Sequence, residues 1–311
     1  MAQPIRLQPL TRHRLTAMGD PGRAWVDALP DLLAELERRW SITLGRAMPG
    51  GSGSYVATAR RADGSAAAVK VAVAEEGWAD QVATLERAEG RGYVRLLDVD
   101  PARRAMLLER LGRPLDRTGW SPDRQLGCLA DTLALAWQDA DGVRPDHGAD
   151  KASRLGTFIE ESWSRLGEPV SERVVQQALR YAERRAAEAT TDLVVVHGDP
   201  HAGNLLAVRQ PRPGAETGYV FVDPDGFVAD RAYDLGVVLR DWNRWLLGAD
   251  ARRTAEGFCA VLAERSGIAE QRIWEWGFLE RVSTGLYVMD VVRGPESVSR
   301  PYLDSAERLA D

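Results

Sequence analysis

The stretch Val196-His197-Gly198-Asp199-Pro200-His201-Ala202-Gly203-Asn204, followed downstream by Phe221-Val222-Asp223-Pro224-Asp225, carries the reading of this chain. Leu193–Val196 is an apolar, mostly β-branched run of strand length. It stops abruptly at His-Gly-Asp-Pro. Residues 205–208 and 219–222 are the next apolar runs, and the Pro- and Gly-containing segment between them reads as a loop. Asp199, Asn204 and Asp223 therefore fall at strand ends, where they can converge. An acid and an amide five positions apart, with a second acid at the next strand end, suit phosphoryl transfer. One carboxylate, Asp199, would face the attacking hydroxyl. Asn204 and Asp223 would hold Mg²⁺ against the phosphates. The plain alternative is a polar turn that happens to carry two acids. It leaves the flanking strands and the second strand-end acid unexplained.

The spacing Asp-x-x-x-x-Asn equals that of the protein-kinase catalytic loop. His-Gly-Asp-x-His-x-x-Asn, as it stands here, resembles the aminoglycoside phosphotransferases and related small-molecule kinases. In that light the N-terminal third becomes legible. Gly50-Gly51-Ser52-Gly53-Ser54 precedes an apolar stretch, Ala62-Asp63-Gly64 is a hairpin turn, and the second strand carries Lys70. A Gly/Ser-rich hairpin followed by a strand lysine is the phosphate-covering arrangement of kinases, with Gly51, Ser52, Gly53, Ser54 and Lys70 expected at ATP. It lacks the Gly-x-x-x-x-Gly-Lys pattern of a Walker loop. Alone, each of these features would be read as a turn and a snorkelling lysine. A helix is expected over residues 75–89. The kinase resemblance puts an acid there beside Lys70: Glu86 is the expected partner, with Gln81 and Glu76 as alternatives. Residues 94–99 and 105–111 form a further hairpin, after which Glu109, Arg110 and Leu111 would be the hinge that receives adenine. Gly112-Arg113-Pro114 breaks the strand. The expected division is a nucleotide-binding lobe over 1–111, with leading helices, and a helical catalytic and substrate lobe over 112–311.

The remaining elements follow from apolar periodicity. Residues 1–19 read as irregular. A helical stripe of Trp25, Leu29, Leu32, Leu33, Leu36 and Trp40 comes next, and Pro30 is expected to split it. Beyond the hinge, helices are expected from Ser121, around residues 155–163, from Ser171, over 233–247, 251–266 and 269–292, and at the end of the chain. Trp242, Trp245, Trp274 and Trp276 read mainly as helix-packing core, with a substrate cleft as the alternative. The fold class is α+β: a bilobal protein-kinase-like fold with an antiparallel sheet in the first lobe and a mostly helical second lobe.

Further stretches narrow the resemblance. Gly22-Arg23-Ala24-Trp25, Val94-Arg95-Leu96-Leu97-Asp98, Met106-Leu107-Leu108-Glu109-Arg110-Leu111, Val222-Asp223-Pro224 and Tyr233-Asp234-Leu235 are similar to the streptomycin 6-phosphotransferase and hydroxyurea phosphotransferase family. That resemblance implies an ATP- and Mg²⁺-dependent kinase of an aminoglycoside, streptomycin first, that confers antibiotic resistance. The alternatives are a kinase of hydroxyurea or another metabolite, and an inactive kinase fold used for binding. His197 and His201 would brace the loop. Asp234 would clamp the loop backbone or face substrate. Asp225, Asp230 and Asp234, with Glu109, are the acids expected within reach of a cationic acceptor. Pro224 after Asp223 replaces the mobile aromatic of protein kinases.

Composition agrees. The 311 residues carry a net charge of −6, which disfavours nucleic acid and anionic membranes and favours a small cationic partner. Cys128 and Cys259 lie in apolar helical stretches and read as free thiols in a reducing cytoplasm. The four histidines have no metal spacing, and neither a signal peptide nor a spanning apolar run is expected. Abundant Ala, Arg and Gly with scarce Lys points to a GC-rich bacterial gene. Monomer or homodimer is the expected state.

Overall fold

Strand alternation organises the first lobe. The structure, a computed structural model, describes residues 7–48, 53–73, 77–141, 143, 151–188 and 193–311. Helices α1 (Pro9–Ala17) and α2 (Asp20–Trp40) lead into β1 (Ile42–Ala47), β2 (Ser54–Arg61) and β3 (Ala66–Ala72). Helix α3 (Trp78–Ala88) then leads to β4 (Leu96–Asp100) and β5 (Ala105–Glu109). The strands form one antiparallel sheet in the order β1-β2-β3-β5-β4. Period-two alternation gives it two faces. Val69, Val71, Ala105 and Leu107 pack on the α2 stripe of Leu29, Leu33, Leu36 and Trp40. Met106 and Leu108 join α3 and the second-lobe core. Lys70 lies opposite Met106 in the ladder and so belongs to that second face.

Two expectations fail here. Residues 9–17 are helical rather than irregular, and α2 runs unbroken through Pro30. An interior proline costs about 3 kcal/mol. Each buried Leu on the stripe contributes about 1.5–3 kcal/mol, and the stripe lies on both sides of Pro30, so packing outweighs the lost hydrogen bond.

The second lobe comprises α4 (Pro122–Ala136), β6 (Gln138–Asp139), α5 (Lys151–Arg165), α6 (Glu172–Ala187), β7 (Leu193–Val196), β8 (Leu205–Ala207), β9 (Tyr219–Phe221), β10 (Phe227–Asp230), α7 (Arg231–Arg240), α8 (Ala251–Ser266), α9 (Glu270–Tyr287) and α10 (Glu296–Leu309). Strand β7 is central in a small sheet ordered β10-β7-β6, and β8 pairs with β9. The helix expected over 233–247 ends at Arg240, and the one expected to reach 292 passes into a π-helical turn at Val288–Val292. The β8–β9 hairpin stitches the lobes together. Val94 N–H donates to the Phe221 carbonyl at 2.9 Å, and Gly112 N–H to the Ala207 carbonyl at 2.7 Å. Arg212, in the hairpin loop, donates to both carboxylate oxygens of Glu109 at 2.8 and 3.0 Å.

Cys128 and Cys259 are free, and burial pushes their thiols up to about 11 and about 12, which makes them poor nucleophiles. Among the described residues no helix is long and apolar enough to cross a membrane.

Helix α3 rests directly on the turn after Asp223. Gly226 has φ +70°, and a Cβ there would lie 2.0 Å from Thr84 Oγ1. Gly257, in α8, has open space around it and no positive φ. Gly226→Ala should destabilise the protein by about 1–3 kcal/mol, whereas Gly257→Ala should stabilise it by about 0.5–1 kcal/mol. Paired thermal melts check the opposite signs; equal shifts would contradict the close approach of α3 to this turn.

Candidate active site

The loop after β7 is held almost entirely through its backbone. His197 N–H donates to Asp234 Oδ2 at 2.8 Å and Gly198 N–H to Asp234 Oδ1 at 2.9 Å. The Trp137 indole N–H donates to the same carboxylate at 2.9 Å. Asp234 is fully buried. Burial raises its carboxyl to about 6, and the three N–H donors oppose that rise by favouring the ionised form. Gly198 has φ +91°, and a Cβ there would meet Asp225 Cβ at 2.7 Å. Only glycine fits that turn.

The histidines brace the rest of the loop. His197 Nδ1 accepts from Asp199 N–H at 3.1 Å, which assigns the proton to Nε2, 3.0 Å from the Val222 carbonyl. Burial depresses its pKa to about 4, so the ring is neutral. His201 Nδ1 accepts from Gly203 N–H at 3.1 Å. Asn204 Nδ2 donates to the Asp199 carbonyl at 3.1 Å, which turns the amide oxygen away from that bond. Val222 N–H donates to the Asn204 carbonyl at 2.9 Å, so the strand ends carrying Asn204 and Asp223 lie side by side.

Lys70 reaches this group from the first lobe. Its Nζ donates to Asp223 Oδ1 at 2.7 Å and to Gln81 Oε1 at 2.6 Å. Asp223 itself sits at φ +59°, in the left-handed region where a non-glycine residue is strained. The partner on α3 is therefore Gln81, and the expectation of Glu86 is corrected. Five residues separate the two on a helix with 3.6 per turn, which sends Glu86 to another face. There Glu86 lines an exposed groove of about 460 Å³ between α3 and β4. Ser54 begins β2 and Gly53 precedes it in a bend, whereas Gly51, Ser52 and Glu76 lie outside the described residues.

The expected substrate acids separate. Asp234 clamps the loop and is not exposed to substrate. Asp230 caps α7 through Ala232 N–H at 2.9 Å and pairs with Arg272 at 2.7 Å, so it too is structural. Glu109 is occupied by Arg212. Asp225 differs. Among the described residues its exposed carboxylate makes no hydrogen bond or ion pair, although the protein around it and the Asp199 charge raise its carboxyl to about 7. Sequence reading missed Arg240, whose Nη2 donates to Asp199 Oδ1 at 2.8 Å. Burial would raise the Asp199 carboxyl; Arg240 and His201 outweigh it and hold it below the ordinary carboxylate range. An arginine at the end of an apolar helix gives no signal of its own in the sequence.

A cleft of about 410 Å³ opens beside the loop, lined among others by Asp116, His201, Asp241, Trp242, Trp245 and Tyr302. Of the four tryptophans, Trp242 and Trp276 are buried in the core and Trp274 packs half-buried against it, while Trp245 is half-buried at the cleft wall, which Trp242 also reaches.

Residues 39–291 match the profile of the aminoglycoside/hydroxyurea antibiotic resistance kinases. The chain belongs to this family. Its relatives include a streptomycin 6-kinase of Streptomyces glaucescens, 29% identical over 97% of this chain and 96% of the relative. A hydroxyurea phosphotransferase of Kitasatospora aureofaciens is 29% identical over 73% of this chain and 65% of its own. In fold the chain is similar to the aminoglycoside phosphotransferase APH(3'')-Id from Streptomyces rimosus, solved with ADP and streptomycin. The TM-score is 0.52 at 20% identity, covering 82% of this chain and 98% of that one. A member of this kinase family is a phosphotransferase with a hydroxyl acceptor, and the bilobal kinase-like fold agrees.

Replacing Asp234 separates its two readings. Asp234→Asn keeps the shape but turns an NH₂ toward backbone N–H groups, at about 1–3 kcal/mol for the unsatisfied donor. The kinase should lose at least ~10-fold in kcat and melt earlier. A rise confined to the acceptor KM, with unchanged melting, would restore the substrate reading.

Proposed function

We propose that this kinase transfers the γ-phosphoryl group of ATP to a hydroxyl of a cationic aminoglycoside, with streptomycin as the foremost acceptor. Residues 1–111 grip the nucleotide and 112–311 the acceptor. The observation that carries the proposal is the pairing across the lobes: Lys70 meets Asp223 at 2.7 Å beside the loop that presents Asp199. Asp199 accepts a hydrogen bond from the acceptor hydroxyl and takes its proton as that oxygen bonds to the γ-phosphorus and the bond to ADP breaks. Lys70, oriented by Gln81, places the phosphates.

Asn204 and Asp223 would hold Mg²⁺. Two observations fit it: the Asn204 amide oxygen is turned away from the Asp199 bond, and Asp223 offers a hard carboxylate oxygen. Mg²⁺ is commonly held by one or two side-chain oxygens together with substrate phosphates, and this pair would supply two. When bound, the ion neutralises charge that develops on the phosphates.

Two features of the protein support a cationic acceptor, and streptomycin's chemistry matches them. The protein is net acidic. The Asp225 carboxylate, with no hydrogen bond or ion pair among the described residues, sits against the loop at Gly198. Streptomycin carries guanidinium groups, which carboxylates bind in a forked geometry.

ADP release by purified protein should depend on streptomycin when compared with kanamycin-type compounds, hydroxyurea, choline and homoserine. Asp199→Ala should lower kcat at least ~100-fold. Asp225→Asn should raise the streptomycin KM more than the ATP KM. Turnover with a kanamycin-type compound or hydroxyurea alone would overturn the acceptor, and near-normal turnover in Asp199→Ala would overturn the site.

A further inference from the structure

We infer that Arg240 is a positioning residue for phosphoryl transfer: its guanidinium fixes the Asp199 carboxylate so that one oxygen, Oδ2, faces the acceptor cleft. The inference rests on Asp199 being the hydroxyl-facing carboxylate.

The geometry is tightly constrained. Arg240 is the last residue of α7, and only 12% of its side chain is exposed. Asp241 grips one edge of the guanidinium, from Nε at 2.9 Å and from Nη2 at 3.3 Å. Tyr302 O–H donates to Asp241 Oδ1 at 3.2 Å and so fixes the gripping carboxylate in turn. Glu280 Oε2 lies 3.5 Å from Nη1. With that edge held, Nη2 has one N–H left, and it meets Asp199 Oδ1 at 2.8 Å. The other oxygen of Asp199, Oδ2, is 3.6 Å from His201 Nε2. His201, Asp241 and Tyr302 all line the cleft of about 410 Å³. Oδ1 is thus committed to Arg240, and Oδ2 lies on the side of His201, which lines that cleft.

A guanidinium cannot give up its proton, so Arg240 takes no part in proton transfer. Its contribution is direction and charge. Without it, Asp199 would face Asp241 and Glu280 with nothing between, and like charges would turn the carboxylate away. A lysine supplies the charge but not the fork, since one ammonium cannot hold the Asp241 edge and aim a second donor along a fixed line.

The test is a double-mutant cycle read in kcat and in the ATP KM. Arg240→Lys should lower kcat ~10-fold and Arg240→Gln ~100-fold, with the ATP KM within ~3-fold of wild type. In an Asp199→Asn background, Arg240→Gln should cost less than a further ~3-fold, because nothing remains to be positioned. A purely structural arginine would cost the same factor in both backgrounds, and that result would overturn the inference. So would a loss that appears in the ATP KM instead of kcat. If Arg240→Gln does not fold, Arg240→Lys decides alone, and wild-type kcat in it contradicts the assignment. Wild-type turnover in Asp199→Asn would remove the carboxylate's role and the inference together, an outcome separate from additivity.

Discussion

At the end of β7 two successive backbone N–H groups leave the strand ladder inside the protein, and Asp234 satisfies both. An unmet buried donor costs about 1–3 kcal/mol, so two of them would undo the turn. The carboxylate can remain charged because it accepts three N–H bonds, the third from Trp137. Everything functional hangs from that turn. Gly198 takes the left-handed conformation, His197 bridges to Val222, and Asn204 ties itself to the Asp199 carbonyl. The loop therefore presents Asp199 and Asn204 without relying on substrate to order it.

The acids around this turn are told apart by their partners. Asp223 is held by Lys70 and Asp199 by Arg240, while Asp225 is anchored by its backbone N–H to the His197 carbonyl and its carboxylate has no hydrogen bond or ion pair among the described residues. The consequence is a divergence in acidity, Asp199 below the ordinary carboxylate range and Asp225 raised to about 7. Environments that push neighbouring carboxyls apart are how one site assigns them different tasks. In the proposed function the first, ionised throughout the neutral range, would handle the acceptor hydroxyl, and the second would ionise fully only beside a cation.

Much of this was legible in sequence because the relevant signals are local. Strand, tight turn and strand around residues 193–223 are written in β-branched runs and Gly/Pro breaks, and the hairpin around Lys70 in the same way. Contacts set by tertiary geometry were not. Gln81 rather than Glu86 meets Lys70 because of where α3 lands on Gly226, which no spacing rule supplies. Asp230 and Asp234 looked like available acids, and only their burial shows that backbone N–H groups and Arg272 occupy them. Arg240 was invisible for the same reason. Strand β1 escaped notice because Gly45 and Arg46 dilute its alternation, and α1 because Arg12, His13 and Arg14 interrupt any apolar stripe. Pro30 misled in the other direction, since a local rule was overridden by the buried stripe on both sides of it.

The proposed chemistry needs one convergence: a nucleotide gripped by Lys70, a metal between Asn204 and Asp223, and Asp199 at the acceptor. A crystal structure with Mg²⁺, a non-hydrolysable ATP analogue and streptomycin measures all of it at once. The predicted result has the metal about 2.0–2.1 Å from Asn204 Oδ1 and an Asp223 carboxylate oxygen. Asp199 Oδ2 should lie within hydrogen-bonding distance of a streptomycin hydroxyl aligned with the γ-phosphorus. A complex in which neither Asn204 nor Asp223 faces the phosphates, or in which the acceptor hydroxyl lies against another side chain, would contradict it.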